Sequence, residues 1–258
     1  MHFAALIQVG QSVTDPSLYY HNNVFGSFCL LEEAIVHNIK HMVFSSTAAI
    51  YGLPEISPIP EDTTKDPINP YGRTKLMMEQ MIHDYSHAYG LSYAILRYFN
   101  AAGADPEGEA GTAYKVDTHI IPLLMRVASN IENQIKVFGT DYPTSDGTAI
   151  RDYIHVTDLA EAHILSLNHI LEGKENLTLN IGTNIGKSVS EVINIARAIT
   201  GHPIPEMVTG RRAGDPPILV ADAREANRIL NWIPRYSDVD TIIKTAWAWR
   251  QNQNKEPQ

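Results

Sequence analysis

The 258-residue sequence has one cysteine, Cys29, so no disulfide can close within the chain, and a lone thiol suits a reducing compartment, read here as the cytoplasm. Cys29 falls in a helical stretch and reads as an ordinary core residue. Positive charge is scarce: 20 Lys and Arg stand against 29 Asp and Glu, leaving a formal net charge of −9. That surplus repels polyanions and argues against nucleic acid or an anionic membrane as partner, so any bound anion needs basic groups gathered locally. Long hydrophobic runs are absent too. The opening stretch from His2 to Ile7 breaks at Gln8 and carries no basic leader, so it reads as neither a signal peptide nor a membrane span. What remains, 44% apolar and 19% charged with 16 glycines and 15 prolines, is the make-up of a globular protein. The length fits one large or two small domains, with enough core to dispense with a structural metal.

Along the chain, residues 2–7 read as a buried strand. A helix follows over about 17–38, with Val24, Phe28, Leu31 and Ile35 spaced to form its apolar face. His41 to Phe44 has the length of a parallel strand and ends in the polar Ser45-Ser46-Thr47. The proline-rich stretch from Pro54 to Pro70 cannot be helical; it leads into a helix over Tyr71–Tyr89 that Gly90 closes. Tyr93 to Phe99 is another strand, and this rhythm argues for a parallel sheet with crossover helices. Beyond Asn100, a Gly- and Ala-rich stretch over 101–111 reads as a mobile loop. Helices are expected near 119–130, 157–171, 188–200, 223–231 and 239–252, a strand at 177–181, a loop over 139–150, and a frayed polar tail over 252–258.

The sharpest local signal is Tyr71-Gly72-Arg73-Thr74-Lys75. Four residues along a helix place a phenol and an ammonium on one face. A phenol of pKa about 10 is a poor base at neutral pH, but a nearby cation favours the phenolate, and Lys75 can supply it. Taken alone, Tyr-x3-Lys is common by chance. Thr47, at the carboxyl end of an expected parallel strand where open α/β sheets gather ligand-binding groups, gives it context. Hydroxyl, phenol and ammonium together suit proton exchange with an alcohol. The histidine pairs His83/His87 and His37/His41 are spaced four apart, but no third ligand accompanies either, and both lie near helix ends where the dipole favours them; no metal is expected.

The sequence resembles the extended short-chain dehydrogenase/reductases and, within them, the UDP-glucose 4-epimerase family. The resemblance is carried by His2-Phe3-Ala4-Ala5, Tyr19-Tyr20-His21-Asn22-Asn23-Val24, Phe44-Ser45-Ser46-Thr47-Ala48-Ala49-Ile50-Tyr51-Gly52, Pro70 to Lys75 and Leu96-Arg97-Tyr98-Phe99-Asn100. It continues through Asp141 to Thr144, Asp146-Gly147-Thr148, Arg151 to Val156, Asn180-Ile181-Gly182 and Arg211-Arg212-Ala213-Gly214-Asp215, and so covers nearly the whole chain. It implies an α/β architecture: a partial doubly wound Rossmann sheet with its first strands missing, and a smaller C-terminal α/β domain. Residues 1–100 would be the remaining half of the dinucleotide-binding domain. Residues 101–258 would mainly form the UDP-sugar domain, with some segments returning to the first. It further implies NAD as cofactor, a UDP-hexose epimerised at carbon 4 through a 4-keto intermediate, and a homodimer.

By the same resemblance Tyr71 is the base, Lys75 holds the nicotinamide ribose and lowers the pKa of Tyr71, and Thr47 bonds the reacting oxygen. Phe3, Ala4, Asn22 and Phe99 join these three around the cofactor. Asn100, His119, Phe138, Arg151, Arg212, Asp215 and Leu219 are the expected UDP-sugar contacts, the arginines because a guanidinium fork matches phosphate oxygens. Related dehydratases carry acids just after the threonine; here Ala48 and Ala49 follow Thr47, which favours epimerisation.

Two departures stand out. The Gly-rich turn that holds a dinucleotide pyrophosphate at a helix N-terminus is absent, so roughly 70 residues of a first βαβαβ half are expected to be missing, at ~30 residues per βαβ unit. An exposed sheet edge and an inability of this chain alone to hold NAD tightly are then expected, with a non-catalytic remnant or interaction subunit as the alternative reading. Ile7 stands where many epimerases have a lysine that reaches the cofactor. Which UDP-sugar is preferred, among glucose, N-acetylhexosamine and uronate, stays open.

Overall fold

The computed structural model describes residues 1–113, 117–212 and 214–253. Ala213 of the double-arginine block and most of the polar tail, from residue 254 on, lie outside the described residues. The chain separates into two compact units: Met1–Phe99, Glu161–Ile181 and Ala221–Trp232 in the first; Asn100–Ala160, Gly182–Val220 and Ile233–Gln258 in the second.

The elements run α1 (Val9–Thr14), α2 (Pro16–Tyr19), a π-helical turn (Tyr20–Phe25), α3 (Gly26–Val36), β1 (His41–Thr47), a 3-10 turn (Ala48–Tyr51), α4 (Pro70–Tyr89) and β2 (Ser92–Tyr98). They continue with β3 (Asn100–Ala102), α5 (Ile120–Ala128), β4 (Ile135–Phe138), β5 (Ile150–His155), α6 (Val156–Leu171) and β6 (Leu177–Ile181). The last are β7 (Gly186–Ser188), α7 (Val189–Thr200), β8 (Glu206–Thr209), β9 (Ile218–Leu219), α8 (Arg224–Leu230) and α9 (Val239–Gln253).

In the first unit β1, β2 and β6 form a parallel sheet in that order, with Thr47 opposite Tyr98 and Tyr98 opposite Ile181. The polar ends of β1 and β2 therefore lie side by side at the carboxyl edge. Leu31, Met42, Phe44, Met78, Ile82, Leu91 and Ile95 pack into one core between sheet and helices. α4 is fixed at both ends by its own sequence. Asn69 Oδ1 accepts the Gly72 N–H at 2.9 Å and Pro70 takes the first turn, while Gly90 closes the helix at φ 71°.

Two expectations need correction here. Residues 2–7 are not a strand: only His2 forms a bridge, to Phe44, and the backbone of Leu6 is taken instead by the Asn23 side chain, at 2.8 Å to its N–H and 3.0 Å from its carbonyl. The helix over 17–38 is interrupted by the π-helical turn, which rotates the buried face. Asn23, Ser27, Leu31 and Ala34 point inward, whereas Phe28 is 42% exposed and Cys29, expected in the core, is exposed.

In the second unit β5 is the hub, parallel to β3 and β9 and antiparallel to β7, while β4 and β8 make a separate parallel pair. α5, α7 and α9 cover these strands through a core that includes Leu124, Val137, Tyr153, Ile193 and Ile243. The Gly- and Ala-rich stretch read as a loop from 101 begins instead with β3. Ser188 and Glu191 form a reciprocal capping box at the start of α7, and Gly201 ends it at φ 72°. Among the described residues no helix is long and apolar enough to cross a membrane.

Candidate active site

The first unit places Thr47, Tyr71 and Lys75 together at the carboxyl end of β1. Thr47 ends the strand and caps the following 3-10 turn, its Oγ1 accepting the Ala49 N–H at 3.2 Å. Tyr71 and Lys75 stand on one face of α4, and Gly72 between them lets the helix approach that turn: a Cβ there would lie 2.6 Å from the Ala49 carbonyl oxygen. The Thr47 side chain is hydrogen-bonded to the Tyr71 phenol. Lys75 is 2% exposed; its Nζ donates to the Ser45 carbonyl at 2.7 Å and sits 4.9 Å above the Phe44 ring.

Burial dominates the electrostatics. It pushes the Tyr71 phenol up to about 12, against the downward pull of the Thr47 hydrogen bond. It pushes the Lys75 ammonium down to about 8, with Glu79 opposing that fall. The expected lowering of the Tyr71 pKa by Lys75 is not seen: the ammonium is engaged with Ser45, and desolvation of the phenol outweighs its hydrogen bond to Thr47.

The remaining expected cofactor contacts are scattered through the first unit. Phe3 is 56% exposed, its ring 4.9 Å from that of His163, and Ala4 is exposed beside it. Phe99 is half-buried just past β2. Asn22 is exposed and turned to its neighbour, donating to Asn23 Oδ1 at 3.0 Å. The buried member of the Asn-Asn pair is Asn23, which also donates to Thr74 Oγ1 at 3.1 Å and so ties the opening segment to α4. Sequence reasoning missed Asn23 and also Glu79, Arg97 and Tyr98. The available signal for Glu79 was its place two turns beyond Tyr71, between the apolar Met78 and Ile82.

The second unit gathers another group. Arg151 on β5 pairs with Asp215 at 2.5 Å and lies opposite Leu219 in the β5–β9 register. The Arg212 guanidinium lies 3.8 Å over the Phe138 ring at the end of β4, and Arg211 lies 4.4 Å over Tyr142. Three cations, one carboxylate and two aromatic faces suit a ligand with phosphates and a planar base. Leu219 is half-buried rather than lost in the core. Asn100 belongs to β3, opposite Tyr153, and His119 precedes α5 without capping it through its side chain; burial lowers the His119 pKa, with the Arg212 charge acting in the same direction.

A family model, the NAD dependent epimerase/dehydratase family, matches residues 1–182. A UDP-glucose 4-epimerase of Halalkalibacterium halodurans is 47% identical over 251 residues, which are 97% of this chain and 75% of that protein. One of Rhizobium meliloti is 47% identical over 99% of this chain and 77% of its own length. Among solved structures, a Brucella ovis UDP-glucose 4-epimerase in complex with NAD is similar with a TM-score of 0.93 and 49% identity, covering 96% of this chain and 76% of that one. A Bifidobacterium longum UDP-glucose 4-epimerase in complex with NAD+ and UDP is similar with a TM-score of 0.93 and 38% identity, over 98% of this chain and 76% of that one.

Proposed function

The chain belongs to the NAD dependent epimerase/dehydratase family, and we infer that it interconverts UDP-glucose and UDP-galactose by inverting carbon 4, with NAD as cofactor. The observation that carries the chemistry is the hydroxyl–phenol–ammonium group of Thr47, Tyr71 and Lys75 at the carboxyl edge of a parallel sheet. We assign the first unit to the cofactor and the proton transfer, and the second to the UDP part of the substrate.

The residues present fit the nicotinamide half of the cofactor. Lys75 has a buried ammonium that stands beside Tyr71, where a ribose can exchange for the Ser45 carbonyl. The sequence has no Gly-x-x-Gly-x-x-Gly turn for the pyrophosphate half. When bound, NAD supplies the acceptor that takes the hydride from carbon 4 and returns it to the opposite face. Tyr71 takes the proton of the 4-hydroxyl in the oxidative half and gives it back in the reductive half. Lys75 holds the ribose and stabilises the phenolate, offsetting the burial that raises the Tyr71 pKa. Thr47 fixes the phenol by hydrogen bonding and meets the sugar oxygen. Phe3, Ala4, Asn22 and Phe99 complete the cofactor's surroundings.

In the second unit Arg151 and Arg212 hold the diphosphate, Phe138 offers its face to the uracil, and Asp215, Asn100, His119 and Leu219 contact the ribose or sugar. Because Arg212 covers Phe138 and Asp215 neutralises Arg151 here, uridine diphosphate binding would exchange these internal partners for its own. The reading includes a homodimer, for which the exposed Phe25, Phe28 and Val36 supply an apolar face, and a reducing compartment such as the cytoplasm, which suits the free thiol of Cys29. Incubation with UDP-galactose and NAD, with the nucleotide sugars separated by chromatography, tests it. UDP-glucose is expected to accumulate to a fixed equilibrium ratio reached from either side; its absence from both directions would count against the reading.

A further inference from the structure

The proton-transfer pair leaves one polar side chain on the same face of α4 unused. Glu79 lies one turn beyond Lys75 and is 1% exposed, a place where a carboxylate is costly unless fully paired. Its pairing is complete. Arg97 on β2 holds it through Nε to Oε1 at 3.0 Å and Nη2 to Oε2 at 2.7 Å, and the Ser46 hydroxyl donates to Oε1 at 2.5 Å. Arg97 is itself anchored, donating to the Tyr51 hydroxyl at 2.9 Å and the Glu61 carbonyl at 3.0 Å.

Where this pair is attached matters more than how strong it is. Ser46 lies between Ser45, whose carbonyl receives the Lys75 ammonium, and Thr47, which bonds Tyr71. Glu79 therefore ties α4 to β1 at the one residue that separates the two anchoring points of the reactive pair. A buried ion pair is often no more stabilising than an apolar replacement, so stability alone gives little reason to place one here. The charges around Lys75 give a better one. Besides Tyr71 and Glu79 on its own helix, it faces His2 beside β1, whose pKa is lowered to about 4 by burial and then by the Lys75 charge. On the far side, Arg97 and Lys65 face Glu79, both as cations. Glu79 supplies the negative charge that supports the Lys75 ammonium against burial.

We propose that Glu79 is a positioning residue for the epimerisation: its carboxylate, locked by Arg97 and Ser46, keeps the Lys75 ammonium charged and aligned on the carboxyl end of β1. The proposal rests on the assignment of Lys75 to the reaction given above. Its test reads Lys75 directly, by NMR titration of the chain carrying 13C-labelled lysine, with the Lys75 signal assigned through Lys75→Arg. Glu79→Gln removes the charge. The double variant Glu79→Gln/Arg97→Met removes both charges and keeps a compact pair should the single change unfold the protein, and Glu79→Asp keeps the charge. Lys75 is expected to titrate at least ~0.5 pH unit lower in Glu79→Gln and to return toward the wild-type value in Glu79→Asp; in the double variant, where loss of the Arg97 cation offsets part of the lost carboxylate, a smaller fall in the same direction is expected. The alkaline limb of the kcat profile should shift acidward by the same amount, with KM for UDP-galactose unchanged. A Lys75 titration identical to wild type in the charge-removing variants would overturn the proposal, as would loss of the fold in both, which would make the pair a stability element alone. A shifted Lys75 with an unmoved kcat limb would support the electrostatic link and count instead against the catalytic assignment of Lys75.

Discussion

Replacing Gly72 by alanine adds one methyl at the closest approach between α4 and the 3-10 turn after Thr47. The new Cβ would lie 2.6 Å from the Ala49 carbonyl oxygen and 2.9 Å from the Pro67 Cβ, with no flexible side-chain end to yield. Comfortable carbon contacts begin near about 3.5 Å, so the first turn of α4 must withdraw from the 3-10 turn by roughly 0.5–1 Å. Overpacking of this size costs about 1–3 kcal/mol. Tyr71 is the adjacent residue and its partner Thr47 sits at the start of that turn, so the strain falls on the reactive pair. A misplacement of about 1 Å can cost on the order of 10²-fold in rate. Urea unfolding and steady-state epimerisation of Gly72→Ala should therefore show a lowered midpoint and a kcat reduced ~10- to 100-fold. UDP affinity, which the second unit carries in this account, should stay within about twofold of wild type. A wild-type midpoint together with wild-type kcat would refute the reasoning, because it would mean that α4 can absorb the methyl without moving Tyr71.

Other consequences are more direct. If Arg212 holds the diphosphate as assigned, Arg212→Ala removes one charge-assisted contact worth about 1.5–3 kcal/mol, so isothermal titration should show UDP bound at least ~10-fold more weakly. Leu219→Tyr places a bulky ring opposite Arg151, and should depress kcat/KM for UDP-N-acetylglucosamine far more than for UDP-glucose, since a clash discriminates by repulsion; equal effects would show that Leu219 does not face the 2-substituent. Glu191→Ala breaks the capping box of α7 and should cost about 0.5–2 kcal/mol in denaturant unfolding at neutral pH. The Ser188 N–H holds the Glu191 carboxyl below its ordinary range, so its contribution is present above the ordinary carboxylate range of about 4.3 and lost as the pH falls through the lowered folded-state value, where the gap between variant and wild type should close.

The parts of the fold visible in the sequence are those set by local chemistry. α4 is announced by Asn69-Pro70 and Gly90, α7 by Ser188, Glu191 and Gly201, and β1, β2 and β6 by apolar runs of strand length. What escaped was set by distant partners. The backbone of Leu6 is satisfied by Asn23 rather than by a neighbouring strand, and the π-helical turn rotates Phe28 and Cys29 outward, which a regular 3.6-residue period cannot reveal. The short strands β3, β7 and β9 owe their state to pairing with β5. At the site, Tyr-x3-Lys and the serine–threonine strand end were legible because helix and strand geometry bring them together. Ser46, Glu79 and Arg97 were not, since a buried charge network is defined by which side chains meet across elements.

The central claim is that the Tyr71 phenol carries the proton of the sugar 4-hydroxyl. Tyr71→Phe keeps the ring and the packing of α4 while deleting the one oxygen that does this work, so it separates chemistry from folding. Measured as UDP-galactose converted to UDP-glucose with NAD supplied, kcat should fall at least ~10²-fold, the loss expected of a removed acid–base group, while UDP affinity by calorimetry stays within about twofold of wild type. A variant that turns over UDP-galactose at a near-normal rate would contradict the account.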